Sequence, residues 1–240
     1  MAVILDGGCR VSMMHEGEPR VFGSLHIWDQ IGKATGATAI SLRILEFGPG
    51  AWPDLRDPES DEVLYLESGS CTISLDDAAF EIGPETGVYV PADQTFSANN
   101  LGSEVVRFVS CQCPGGSGSR RESAPIVRLA DRKALPTADR WYRVLVDDEV
   151  GSEQVTQFVG SIPPGRAPDH FHEYEEVLFI LCGQGRMWAG ETNTPIGPGS
   201  CVYLPRRQVH CVENTSDGEL RLLGVFYPAG SPAVRYDVDR

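Results

Sequence analysis

Apolar and polar positions alternate along this chain in short runs. From Val21 onward, β-branched and aromatic residues gather in segments of about four to eight, separated by Gly, Pro, Asp and Asn. Thr38–Phe47, Val63–Leu66, Cys71–Leu75, Gly87–Val90 and Val105–Cys111 read as strands in the first half, and Trp141–Val146 and Gln154–Ile162 in the second. The breaks recur at the spacing expected of an all-β barrel or sandwich. Nothing longer than a turn or two carries a helical period. Ala130–Arg140 comes nearest, and Pro136 interrupts it. Residues 1–20 lack a clear period and read as an arm with one short strand at Ala2–Leu5.

One pattern is written twice. Glu62-Val63-Leu64 answers Glu176-Val177-Leu178, and Gly69 answers Gly183 at the same distance from its glutamate. Val88-Tyr89-Val90-Pro91 returns as Val202-Tyr203-Leu204-Pro205, and Asn100, Arg107 and Pro114 as Asn214, Arg221 and Pro228. Upstream, Pro49-Gly50 matches Pro164-Gly165, with one extra residue in the first copy. A repeat of this length implies two successive units of one fold. The stretch from Pro114 to Pro125, rich in Gly and Ser, has linker composition. The expected division is an arm at 1–20, a first unit at 21–115, a linker at 116–125 and a second unit at 126–240. The last residues, from Ala229 to Arg240, show no strand pattern.

Three of the five histidines, His170, His172 and His210, fall in the second unit. One residue separates His170 from His172, so on an extended strand both side chains leave the same face. Glu176 follows at the head of the apolar run Val177–Leu181. Three imidazoles and a carboxylate on neighbouring strands make a pocket of N and O donors for a first-row divalent metal. In the first unit, Arg56 and Pro58 stand in the places of His170 and His172, and Phe96 in that of His210. Only Glu62 is kept, and that set is no divalent-metal site. Phe96 is expected inside the first unit, with the old metal cavity filled by side chains. Glu62 is expected to pair with Arg56, because an unpaired buried carboxylate is costly.

These residues resemble the two signature motifs of the cupin superfamily. Gly165, His170-x-His172, Glu176 and Gly183 follow the first, with the step from Gly165 to His170 one residue short. Gly199, Pro205, His210 and Asn214 follow the second, with Arg207 where glycine is usual. The resemblance implies an all-β protein of two tandem cupin (double-stranded β-helix, or jelly-roll) barrels, the N-terminal one degenerate. It implies one divalent transition metal per chain, held by His170, His172, Glu176 and His210. Fe, Mn, Ni, Co and Zn all suit this donor set, although four protein ligands would close a tetrahedral zinc site. It further implies a metal-dependent oxidoreductase, dioxygenase-like and similar to quercetinase-type cupins, acting on a small oxygen-rich or aromatic substrate. Glu176 and Tyr174 are its candidate catalytic residues. The alternatives are a cupin lyase, isomerase or aminohydrolase, and a non-catalytic small-molecule binder with a structural metal. Oxalate decarboxylases carry a metal in each half, which weakens comparison with them.

Charge narrows the partners. A formal net charge of −14 and a pI near 4.7 argue against nucleic acid and anionic membranes. No apolar run approaches the ~20 residues of a spanning helix, and the start Met-Ala-Val-Ile-Leu-Asp lacks a basic leader region. A cytoplasmic protein with a small-molecule substrate is expected, and a homodimer formed through the arm is compatible with the sequence. The seven cysteines form no even disulfide framework and are expected reduced and mostly buried. Arg166, Arg206 and Arg207 lie near the motifs and are candidate partners for a substrate anion. His15 and His26 lie outside both motifs and read as ordinary hydrogen-bonded histidines.

Overall fold

The runs of alternating residues become antiparallel sheets, as in Cys71–Leu75, whose odd positions are buried and even ones half-buried. The computed structural model describes residues 1–116, 125–137, 139–234 and 236–237, so the expected linker lies almost wholly outside the described residues. The chain is all-β: among the described residues, four sheets and a few single turns of 3-10 helix make up its regular elements. Among the described residues no helix is long and apolar enough to cross a membrane.

Each half of the repeat builds one large and one small sheet. In the first, Leu42–Phe47, Ser60–Ser68, Thr86–Val90 and Val106–Pro114 belong to a seven-stranded sheet that faces a four-stranded one containing Cys71–Leu75 and Phe96–Asn100. In the second, Thr156–Ile162, Glu175–Cys182, Ser200–Leu204 and Leu220–Tyr227 belong to an eight-stranded sheet. It faces a six-stranded one containing His170–Phe171, Gly185–Ala189 and His210–Asn214. Both units are jelly rolls of two facing sheets. Leu64, Phe108, Ile73 and Phe96 fill the first; Leu178, Phe226, Met187 and Val212 fill the second. The repeat is visible in the backbone: Gly69 (φ 82°) and Gly183 (φ 86°) turn equivalent corners in the left-handed region. A Cβ on either would meet the backbone of Val106 or Leu220 below 3.0 Å.

The two large sheets pack back to back. Ile44, Val63, Tyr65 and Val109 of the first unit share a core with Val159, Val177, Phe179 and Val225 of the second. Burying a side chain such as Phe179 contributes about 1.5–3 kcal/mol, so this shared core is a major part of the fold.

Three elements differ from the sequence reading. The run Thr38–Phe47 enters the sheet only at Leu42. The backbone N–H groups of Thr38, Ala39 and Ile40 go instead to the Glu175 carboxylate of the other unit, at 2.8–3.1 Å. Of the helix candidate Ala130–Arg140, only Ala130 and Asp131 fall in a helical turn, a single 3-10 turn; Leu135–Thr137 is an edge strand, where Pro136 is tolerated. The arm holds a second strand, Arg10–Met13, which pairs with Ser200–Leu204 of the second unit. In the same way Ile126–Arg128 pairs with Thr86–Val90 of the first. Each half thus lends its leading strand to the other half's sheet.

Candidate metal centre

The three imidazoles converge because two short strands meet. His170 lies directly across from His210 in an antiparallel pair, and the two rings are 4.5 Å apart. His172 follows on the same face, 5.0 Å from His170 and 5.5 Å from His210. One nitrogen from each of the three lies within 4.8 Å of the other two. Glu176 comes from the opposite sheet: its Oε2 is 3.5 Å from His210 Nε2 and 3.9 Å from His172 Nε2. The donor set therefore bridges the two sheets of the jelly roll.

Each ring is oriented through its other nitrogen. The Nδ1–H groups donate to backbone carbonyls: His170 to Pro168 at 3.0 Å, His172 to Val234 at 2.9 Å, His210 to Gln208 at 2.8 Å. That selects the tautomer with a free lone pair on Nε2, the form that ligates a metal. Burial, with the neighbouring His170 and His172, holds the His210 imidazole well below its usual pKa. Burial also pushes the Glu176 carboxyl up to about 8. The Glu176 side chain is buried and its Oε2 has no hydrogen-bond partner. Leaving a buried carboxylate oxygen unpartnered is costly, and a divalent cation beside it would remove that cost. The residues fit one divalent transition metal, and the three histidines cluster as its site.

Tyr174, the other candidate catalytic residue, stacks on His172 at 4.9 Å and packs on Phe226 at 4.3 Å. Its hydroxyl donates to the carbonyls of Ser231 and Val234 at 2.9 and 3.3 Å, in the tail. That tail, expected to be without strands, returns as Tyr236–Asp237 to pair with His170–Phe171. Of the candidate arginines, Arg166 lies over the Trp188 ring at 4.1 Å and pairs with Asp169. Arg207 pairs with Glu173 at 2.8 Å on the surface and keeps φ 61° at the motif's glycine position. Arg206 is exposed.

The first unit needs a correction. Leu55 pairs across from Phe96 as His170 does across from His210. The N–H of Asp93 donates to Asp57 O as that of Arg207 donates to His172 O, both at 2.7 Å. The extra residue of the first copy therefore falls after Asp57, and Leu55 and Asp57, not Arg56 and Pro58, take the histidine places. Phe96 is buried in the core as expected. Glu62 pairs with Arg43 at 2.6 Å rather than with Arg56, which pairs with Asp93. Among the described residues, His170, His172 and His210 form the one cluster suited to a metal.

Beside the histidines lies a cavity of about 100 Å³. His170, His210 and Glu176 reach it, Phe158, Leu222 and Phe226 wall it, and Arg140 lines it as well. Arg140 was missed in the sequence. The signal was there: counted along the repeat, it replaces Leu25, a fully buried core residue of the first unit. Of the aromatic and aliphatic residues near the motifs, Leu178 and Phe226 line the cavity. Phe179 and Tyr203 face the shared core instead.

Comparison with known proteins agrees with this architecture. Residues 158–226 match the family model of the cupin domain. Auxin-binding protein 1 of Arabidopsis thaliana is 29% identical over 86 residues, which is 32% of this chain and 43% of that protein, so the match spans under half of that relative. A variant of Bacillus subtilis oxalate decarboxylase superposes with a TM-score of 0.79 at 14% identity, over 95% of this chain and 79% of that one; that enzyme has Mn(II) centres. The E. coli protein Ylba superposes with a TM-score of 0.79 at 12% identity, over 94% and 93% of the two chains. Residues 158–226 therefore match a cupin domain, and over nearly its whole length the chain has the fold of these solved two-barrel structures.

Proposed function

We propose that the chain is a metal-dependent oxidoreductase, dioxygenase-like, acting on a small oxygen-rich substrate that carries an anionic group. The observation that carries this reading is that Arg140, Glu176, His170 and His210 open on one cavity with apolar walls. His170, His172, His210 and Glu176 would hold the metal. A bound divalent metal supplies a Lewis acid for the substrate's oxygens and a redox partner for O₂. Arg140 pairs with the substrate's anionic group and fixes its orientation. Glu176, the carboxylate that opens on this cavity beside His170 and His210, takes the proton from a substrate hydroxyl. Phe158, Leu222 and Phe226 exclude water from that transfer. Tyr174 enters as a support for His172 and the tail, its hydroxyl being spent on Ser231 and Val234. The acidic chain disfavours nucleic acid as a partner, and a cytoplasmic small-molecule enzyme is the setting that suits it.

A second reading, a lyase acting on a small carboxylate, uses the same residues and is favoured by Arg140. An oxygen-electrode screen separates the two. The oxidoreductase reading predicts turnover that stops without O₂ and resumes when air is admitted, with Glu176→Gln keeping part of the metal and losing most turnover. Full turnover under strict anaerobiosis would move the assignment to the lyase.

A further inference from the structure

The first unit has not closed its old cavity. At the place equivalent to the metal pocket it keeps a cavity of about 180 Å³, lined by Arg20, Arg43, Arg56, Glu62, Phe96 and Gln112 among others. Along the repeat, Arg43, Leu55, Glu62, Phe96 and Gln112 stand where the second cavity has Phe158, His170, Glu176, His210 and Phe226. A site retired to a structural role is most stable when filled with apolar side chains, because a buried ion pair roughly breaks even at best. Here the floor is an ion pair instead.

That floor is fully organised. Glu62 accepts from Arg43 at 2.6 Å, from Ser110 Oγ at 2.5 Å and from Gln112 at 3.2 Å. Asp57 accepts from the N–H groups of Glu59 and Ser60 and from Gln112. Both carboxylates in the lining are therefore answered from within. The guanidiniums are only half used. Arg20 binds Asp29, Arg56 binds Asp93 and Arg43 binds Glu62 and Ser110, each through Nε and Nη2, which leaves every Nη1 outside these pairings. Asp29 and Asp93 answer Arg20 and Arg56 from outside the lining, so an incoming anion is met by the Nη1 groups outside these pairings and not by net positive charge. Phe22, Ile27, Leu55 and Phe96 supply its apolar part.

We infer that this cavity binds a small organic carboxylate, its anionic end on Arg20 and Arg56 at the mouth and its apolar body against Phe22, Leu55 and Phe96. The site takes no metal and is independent of the chemistry proposed for the second unit. Arg43 is unsuited to a test, since its removal strands Glu62. Arg20 and Arg56 are exposed and can be changed without touching the core.

Calorimetry with benzoate and its neutral counterpart benzamide tests this on the full chain carrying His170→Ala and His172→Ala, which removes metal ligands from the other site. A thermal melt of each variant confirms folding. Benzoate is expected to bind one equivalent, and benzamide at least about tenfold more weakly, as a charge-assisted pair is worth more than a neutral one. Adding Arg20→Gln with Arg56→Gln should weaken benzoate about tenfold or more, while adding Arg140→Gln should leave it unchanged. No benzoate binding, equal binding of benzamide, or loss on Arg140→Gln with retention in the Arg20, Arg56 variant would each overturn the inference.

Discussion

Glu175 and Glu176 are consecutive on one strand, and their carboxylates serve opposite faces of the sheet. Glu176 points to the histidines, 3.5 Å from His210 Nε2. Glu175 points across the junction between the units and accepts from Thr38, Ala39, Ile40 and the Tyr203 hydroxyl. The period of two along a strand makes this division automatic. It also ties the placement of a proposed metal ligand to the packing of the first unit.

Burial alone would raise the Glu175 carboxyl, but the donors from Tyr203, Thr38 and Ala39 outweigh it and hold it below the usual carboxylate range. A depressed folded pKa contributes stability that is present above the unfolded value and lost as pH falls through the folded one. Glu175→Gln should therefore destabilise the chain by about 1–3 kcal/mol near neutral pH, with the difference from wild type shrinking toward acid pH. Denaturant melts across that range read the effect. A constant difference at every pH would contradict the assignment.

The exchanged strands predict what happens to half of the protein. A fragment starting at Ile126 lacks Arg10–Met13, so the edge Ser200–Leu204 is uncovered, and it loses Leu5, Cys9 and Val11 from its own core. It also exposes the face of Val159, Val177 and Val225. An open strand edge beside an apolar face is a template for association. Gel filtration should show this fragment self-associated or insoluble; a well-behaved monomer would count against the shared core.

The tail should matter to the metal although it supplies none of the proposed ligands. Val234 O accepts from His172 Nδ1, and Tyr174 holds the same segment through its hydroxyl. Ending the chain after Pro228 removes that carbonyl and the strand Tyr236–Asp237. Metal affinity, measured by competition with a chelator, should fall about 10–100-fold. Tyr174→Phe should show a smaller loss in the same direction. Unchanged affinity in the truncated chain would show that the barrel alone orients His172.

Much of this architecture was legible in the residues, because a repeat and a ligand spacing are local patterns. The strands, the two units and the convergence of His170, His172 and His210 follow from them. What was not legible depends on contacts between distant parts. Thr38–Ile40 has strand-like residues, yet Glu175, far along the chain, takes their N–H groups. Arg10–Met13 has too short a pattern to read alone and is a strand because Ser200–Leu204 offers an edge. The place of the extra residue in the first copy moved the histidine equivalents to Leu55 and Asp57. A gap of one residue is invisible until the partner strand fixes the register. Arg140 escaped notice because a single arginine at the head of a strand reads as surface.

The central claim is that one divalent metal per chain is held in the second unit alone. Elemental analysis of the purified full chain, beside the His170→Ala, His172→Ala double variant, tests it most directly. The account predicts about one ion per chain in the wild type, none in the double variant, and no change in Phe96→Ala. About two ions in the wild type, or an ion retained after both histidines are removed, would contradict it.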